Sequence, residues 1–286
     1  MLKRLRLIIF IPLLLVLFLA TGMTVNALPH STKSIEARLK KDSLSENHPI
    51  TKAIDQDQGI VVLRWLQKGN HPNSAVHNQM KERLLERAVM KGSVECAALL
   101  LKVYKVWGLK PSLTDSRGTP LIVSIAGLAT PLNPRAKRYE KTIERMIHYF
   151  PETLMQQDRA YIGEGRMAIH QAAAVGNVKL VEFLVSKGNS IEQKSLSGET
   201  PLHFAARSGS DEVVRFLINS RANKNAQAKH TQATPLMLAA EAKQDSTVKL
   251  LIALGADRSI QDTFGKTVAD RILTTRSTVA GQRKFR

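Results

Sequence analysis

The chain is predicted to fold as an all-α repeat solenoid of about six helix-turn-helix units followed by a C-terminal half-unit. Three observations predict it. A block of about 33 residues recurs in register, each clear copy opens on the same short pattern, and a second apolar stripe with helical spacing follows each opening. The clearest copy starts at Thr200-Pro201-Leu202-His203-Phe204-Ala205-Ala206. One period earlier stands Met167-Ala168-Ile169-His170-Gln171-Ala172-Ala173. Downstream, Thr234-Pro235-Leu236-Met237-Leu238-Ala239-Ala240 comes a single position later than the period requires, and Thr267-Val268-Ala269 opens a truncated copy one period after Thr234.

Each residue type has a mechanical reason to sit where it does. The Thr200 hydroxyl caps a helix, and Pro201, with no N–H to satisfy, suits the first helical position. Ala205 and Ala206 keep one face small enough for the next layer to approach. Gly209 supplies the left-handed conformation that ends the short helix. Val213, Val214, Phe216 and Leu217 then form the stripe of a second helix, matched by Leu180, Val181, Phe183 and Leu184 upstream and by Val248, Leu250 and Leu251 downstream. Gly255-Ala256-Asp257 closes its pair, and Asp262-Thr263-Phe264-Gly265 is a turn leading to the next start. No such pair buries its apolar face alone, so neighbours must stack.

The Thr-Pro-Leu-His-x-Ala-Ala signature with its turn glycine resembles the ankyrin repeat, and residues 159–274 stay close to that pattern. Residues 47–158 are expected to hold degenerate units. Gly118-Thr119-Pro120-Leu121 opens one whose second helix is expected from Thr142 to Tyr149, with Pro151-Glu152-Thr153-Leu154 at its exit. From Thr119 to the next start at Met167 the chain overruns one period by about fifteen positions, which marks an insertion. The extra stretch is expected between the helices, from Ala129 to Arg138, and in a longer finger from Arg159 to Arg166. Ala88 to Gly92 with Ala97 to Leu101 forms an earlier unit closed by Gly108. Pro49-Ile50 with Ala53-Ile54, Val61, Val62, Trp65 and Leu66 forms the first.

At the N-terminus, Lys3, Arg4 and Arg6 precede an uncharged apolar run from Leu7 to Met23, and then Val25-Asn26-Ala27. The run falls a little short of the length at which a helix comfortably spans a bilayer. Basic flank, apolar run and small-residue site resemble a bacterial-type secretory signal over residues 1–27, cleaved after Ala27; an uncleaved membrane anchor is the alternative. Either places the array across the membrane, in the periplasm or outside, and the apolar segment offers a link to the bilayer. A basic polar linker is expected over 28–46 and a basic tail over 275–286.

The formal net charge is +18, and the three basic residues of the leader reduce it to +15 after cleavage. Such a balance favours acidic partners, anionic lipid or nucleic acid. No helix-turn-helix, zinc-finger or RNA-binding aromatic pattern accompanies the charge, so nucleic acid is a minor expectation. Cys96 is the single cysteine, which excludes an intramolecular disulfide and reads as a buried small hydrophobe. No zinc-spaced cluster, phosphate loop or nucleophile elbow appears, so neither enzyme activity nor a metal, cofactor or small-molecule substrate is expected. His170 and His203 occupy the histidine of the signature, where the resemblance implies a structural hydrogen-bonder tying loop to helix.

The resemblance further implies a stoichiometric binding module that meets another protein on its concave side, through finger tips and the residues after the paired alanines. Carried onto this chain, that surface comprises Arg166, Ala174 and Val175; Leu196, Ser197, Glu199, Arg207 and Ser208; His230, Thr231, Ala233, Glu241 and Ala242; and Thr263, Phe264 and Lys266. Leu196 and Phe264 are apolar at turns expected to be exposed, which suits contact anchors. Packing against the adjoining finger is the other reading of each. An exported enzyme's accessory or inhibitor, and an effector acting on host proteins, are alternative roles for the same module.

Overall fold

A computed structural model of the chain describes residues 44–45, 48–68, 76–77, 83–106, 108, 111, 113–115, 117–158 and 165–273. The leader or anchor with its Ala27 site, nearly all of the 28–46 linker, most of the 159–166 finger and the 275–286 tail lie outside the described residues.

Six helix pairs follow in order. They are α1 (Pro49–Asp55) with α2 (Gly59–Gln67), α3 (Leu84–Lys91) with α4 (Val94–Val106), and α5 (Leu121–Leu128) with α6 (Ala136–Tyr149). Then come α7 (Ala168–Ala174) with α8 (Val178–Ser186), α9 (Pro201–Ser208) with α10 (Asp211–Asn219), and α11 (Pro235–Glu241) with α12 (Asp245–Ala253). A helical half-unit at 268–273 ends the described chain. Two short strands, β1 (Leu44–Ser45) and β2 (Val76–His77), pair in parallel. One continuous apolar core runs from Ile50 to Val268.

The units share one frame. From the cap of the first helix to the start of the second the chain runs 48 to 59, 83 to 94, 167 to 178, 200 to 211 and 234 to 245, an interval of eleven in five pairs of the six. The degenerate N-terminal units therefore keep the helix-turn-helix geometry after losing the signature. Polar links join them: Arg87 makes a bidentate ion pair with Asp55 (2.8 and 2.7 Å), and the Cys96 backbone N–H donates to Asp57 Oδ1 (3.0 Å).

The third pair is the exception, and it corrects two expectations. Its first helix begins at Leu121 with Pro120 as cap, while Thr119 is the last finger residue, its carbonyl accepting the Asp115 N–H at 2.7 Å. Pro120 thus stands where Thr200 does, one residue out of register with the expected Thr-Pro start. The inserted stretch is then one shorter than expected, and it divides three ways: between the helices, into a longer second helix, and into the finger. The second helix starts at Ala136, not Thr142. Its first turns are pinned by Tyr139, which is buried and donates its hydroxyl to the Met90 carbonyl (3.1 Å), and by Glu140, which accepts from Asn177 Nδ2 (2.8 Å).

The backbone enters the left-handed region at three recurring places: after the first helix, after the second, and in the finger. Glycine fills most of them. Lys243 (φ 58°), Arg221 (φ 68°), Asp57 (φ 56°) and Gln232 (φ 50°) fill the others, at the steric cost a Cβ brings there. The extra position between Thr200 and Thr234 is one added residue in the finger, where Ala228 N–H donates to Ala233 O rather than to the residue four on, as Ser195 and Asp262 do.

Candidate functional site

Paired alanines set the shape of the inner face. Ala172 and Ala173, Ala205 and Ala206, and Ala239 and Ala240 are buried where α7, α9 and α11 stack, and these first helices pack more closely on one another than α8, α10 and α12 do. This part of the stack therefore curves with the first helices and fingers inside.

The fingers are locked in series. Lys229 N–H donates to the Ser197 carbonyl (2.8 Å), and Thr263 N–H donates to that of Thr231 (3.1 Å). Glycine is required at 198, since a Cβ there would lie 2.6 Å from the Lys229 backbone nitrogen. Each signature histidine ties its helix to the next finger. His170 Nδ1 accepts the Met167 N–H (2.9 Å) and Nε2 donates to Gln193 O (2.8 Å); His203 Nδ1 accepts the Thr200 N–H (3.1 Å) and Nε2 donates to Ala233 O (3.1 Å). Burial pushes both imidazoles down to about 4, so they are neutral at physiological pH. With both ring nitrogens occupied, neither has a lone pair to offer a metal.

The inner face places most of the expected contact residues in the open. Ser208, His230, Thr231, Glu241, Thr263 and Lys266 are exposed, as are Leu196 at 52% and Phe264 at 78%. Arg166, Val175, Ser197, Arg207, Ala174 and Ala242 are half-buried. Two positions are corrected. Glu199 is buried and held by the Arg207 guanidinium, one of whose bonds is 3.2 Å, so its carboxylate is spent on a neighbour. Ala233 is buried beneath the longer finger, where its carbonyl serves His203. Leu196 combines both of its readings: it packs over Gly165 of the preceding finger and still shows half its surface. Phe264, on the last described finger, has no such cover.

Two features of the face are absent from the expected set. Two guanidiniums approach the Phe204 ring, Arg166 at 4.9 Å and Arg207 at 5.7 Å from its centre, within the range of attraction between a cation and a π-face. Arg271, from the terminal half-unit, reaches back to Asp262 (2.7 Å) and Glu241. The aromatic after the signature histidine was the only trace of the first; the second needs the fold. Acidic groups here are therefore mostly neutralised internally, whereas Lys229, Lys243 and Lys266 are exposed along the same fingers and turns. Cys96, expected to be inert, is fully buried, and burial together with Asp57 pushes its thiol up to about 12. Among the described residues no group of three or more metal-ligating side chains is placed to hold a metal.

This architecture defines an ankyrin solenoid. Residues 136–228 and 169–262 match the family described as ankyrin repeats in three copies. The protein phosphatase 1 regulatory subunit 27 of Homo sapiens is 28% identical over 114 residues, covering 33% of this chain and 74% of that protein. The Notch-regulated ankyrin repeat-containing protein of Xenopus tropicalis is 40% identical over 55 residues, 19% of this chain and 48% of that one. The crystal structure of the human ASB11 ankyrin repeat domain superposes with a TM-score of 0.60 at 18% identity, over 79% of this chain and 91% of that domain, a likeness of fold. These relationships support protein–protein interaction as the work of the array.

Proposed function

We propose that this protein is a non-catalytic binding module that holds one acidic partner protein in its concave face, acting by occupancy rather than turnover. The observation that carries this is the chemistry of the inner surface: rigid, hydrogen-bonded fingers present Leu196 and Phe264 as apolar anchors among exposed lysines, while the acids beside them are already paired with Arg207 and Arg271. The sequence of residues 1–27 supports action after export, or at a membrane if that segment is retained. The name of one relative, a phosphatase regulatory subunit, supports an enzyme as partner, with the array as its accessory or inhibitor.

The test is site-directed photo-crosslinking in the native compartment. A crosslinking residue at Ser197 or Thr231 should trap one defined acidic protein in a one-to-one adduct, and the same residue at Arg215 on the outer helix α10 should not. Equal trapping from both faces, or turnover of a substrate by the purified chain, would overturn the reading.

A further inference from the structure

The insertion in the third unit builds a second surface, on the opposite side of the array from the fingers. Helix α6 is 14 residues long where α8, α10 and α12 have 9. One face of it is core, formed by Tyr139, Thr142, Ile143, Met146 and Ile147. The other carries Lys137, Lys141 and Arg145 one turn apart, flanked by Arg138, all exposed and with a single exposed acid, Glu144, among them. The stripe spans about 12 Å at the helical rise. No salt bridge to these four cations is found among the described residues. Immediately before the helix, the loop between Pro131 and Pro134 holds Leu132 outward with 96% of its surface exposed. The loop is fixed: Asn133 Nδ2 donates to Leu128 O (2.8 Å), Asn133 Oδ1 accepts the Arg135 N–H (2.9 Å), and Asn177 Nδ2 donates to Ala129 O (2.7 Å).

A rigid loop with one protruding leucine, backed by a row of cations a helical turn apart, matches the interface of a bilayer with acidic headgroups. An apolar side chain enters the boundary region and the cations stay at headgroup level. We propose that α6 and its preceding loop form a docking surface for an anionic phospholipid membrane, separate from the partner-binding face. Where the apolar run Leu7–Met23 is retained it would bring the array to such a surface, and the α6 stripe would orient it with the fingers pointing away. A nucleic acid also carries negative charge but must unstack its bases to admit Leu132, a cost that the apolar interior of a bilayer does not impose.

The experiment uses the full chain carrying Leu132→Cys, labelled with an environment-sensitive fluorophore. Cys96 is fully buried and leaves position 132 as the only reactive thiol. The chain is added to phosphatidylcholine vesicles with or without phosphatidylglycerol. Emission should shift to the blue on the anionic vesicles alone, the shift should reverse at high salt, and Lys137→Gln and Lys141→Gln should each weaken the contact about fivefold. A label at Thr231→Cys, on a finger, should stay unshifted, which separates docking by α6 from attachment by the N-terminal run alone. The proposal is overturned by an equal shift on neutral vesicles, by no shift at 132, by equal shifts at 132 and 231, or by an equal response to duplex RNA without lipid. Because Lys137 and Lys141 are exposed, circular dichroism of both variants should match the parent; salt reversal tests the same point without any substitution.

Discussion

His203 joins two repeats through one ring: its Nε2 stands 3.1 Å from the carbonyl oxygen of Ala233, in the next finger, while its Nδ1 accepts the N–H of Thr200 at the start of its own helix. His170 repeats the arrangement with Gln193 and Met167. Both rings must be neutral to serve as acceptor and donor at once, and burial keeps them so down to about 4. In the unfolded chain a histidine protonates near 6.5. Between those values the unfolded state binds more protons, so stability present above pH ~6.5 is lost as pH falls toward ~4. Urea midpoints measured across that window should fall by the equivalent of roughly 3 kcal/mol per histidine. His203→Gln should be less stable at neutral pH and show a shallower dependence; an unchanged slope would remove this histidine from the account.

Lys243 and Arg221 occupy left-handed positions where other units have glycine. Replacing either with glycine removes a Cβ clash costing about 1–2 kcal/mol and adds unfolded-state entropy, for a net gain of roughly 0.5–1 kcal/mol each. The reverse change, Gly198→Ala, should destabilise by more than that, because the new Cβ meets the Lys229 backbone. Denaturant midpoints of the three variants check the ordering.

Leu217 is fully buried in the core of the best-formed units. Leu217→Ala should cost roughly 2–5 kcal/mol, whereas Lys194→Ala, exposed on a finger, should change stability by less than about 0.5 kcal/mol. Thermal or chemical denaturation distinguishes them directly.

Charge and apolar anchors on the fingers should act on different rate constants. Neutralising Lys229 and Lys266 should slow association with the acidic partner, with a strong dependence on ionic strength, while Phe264→Ala should chiefly speed dissociation. Surface-plasmon measurements at two salt concentrations separate the two effects.

Much of the fold was legible because repeats state the same constraint several times. The short first helix, the paired alanines and the histidine ties could all be traced from the Thr200 copy, and the first two units kept their apolar spacing after losing the signature. The third unit misled for a definite reason. Thr119-Pro120 imitates the signature one residue early, and the first turns of α6 are so polar that only Tyr139 marks them as helix. The burial of Glu199 and Ala233 depends on contacts with Arg207 and with a finger one residue longer than its neighbours, which no local pattern carries. Arg207 stands one helical turn from Phe204 on α9, but the approach of Arg166 to that ring joins separate units and becomes visible only once they stack.

Hydrogen exchange of the chain alone and in complex with its crosslinked partner locates the partner on the array. Binding through the concave face predicts slowed exchange at the fingers, residues 196–198, 229–232 and 263–265, and in the last turns of α9 and α11, with α8, α10 and α12 unchanged. Slowed exchange confined to the outer helices, with the fingers unaffected, would contradict it.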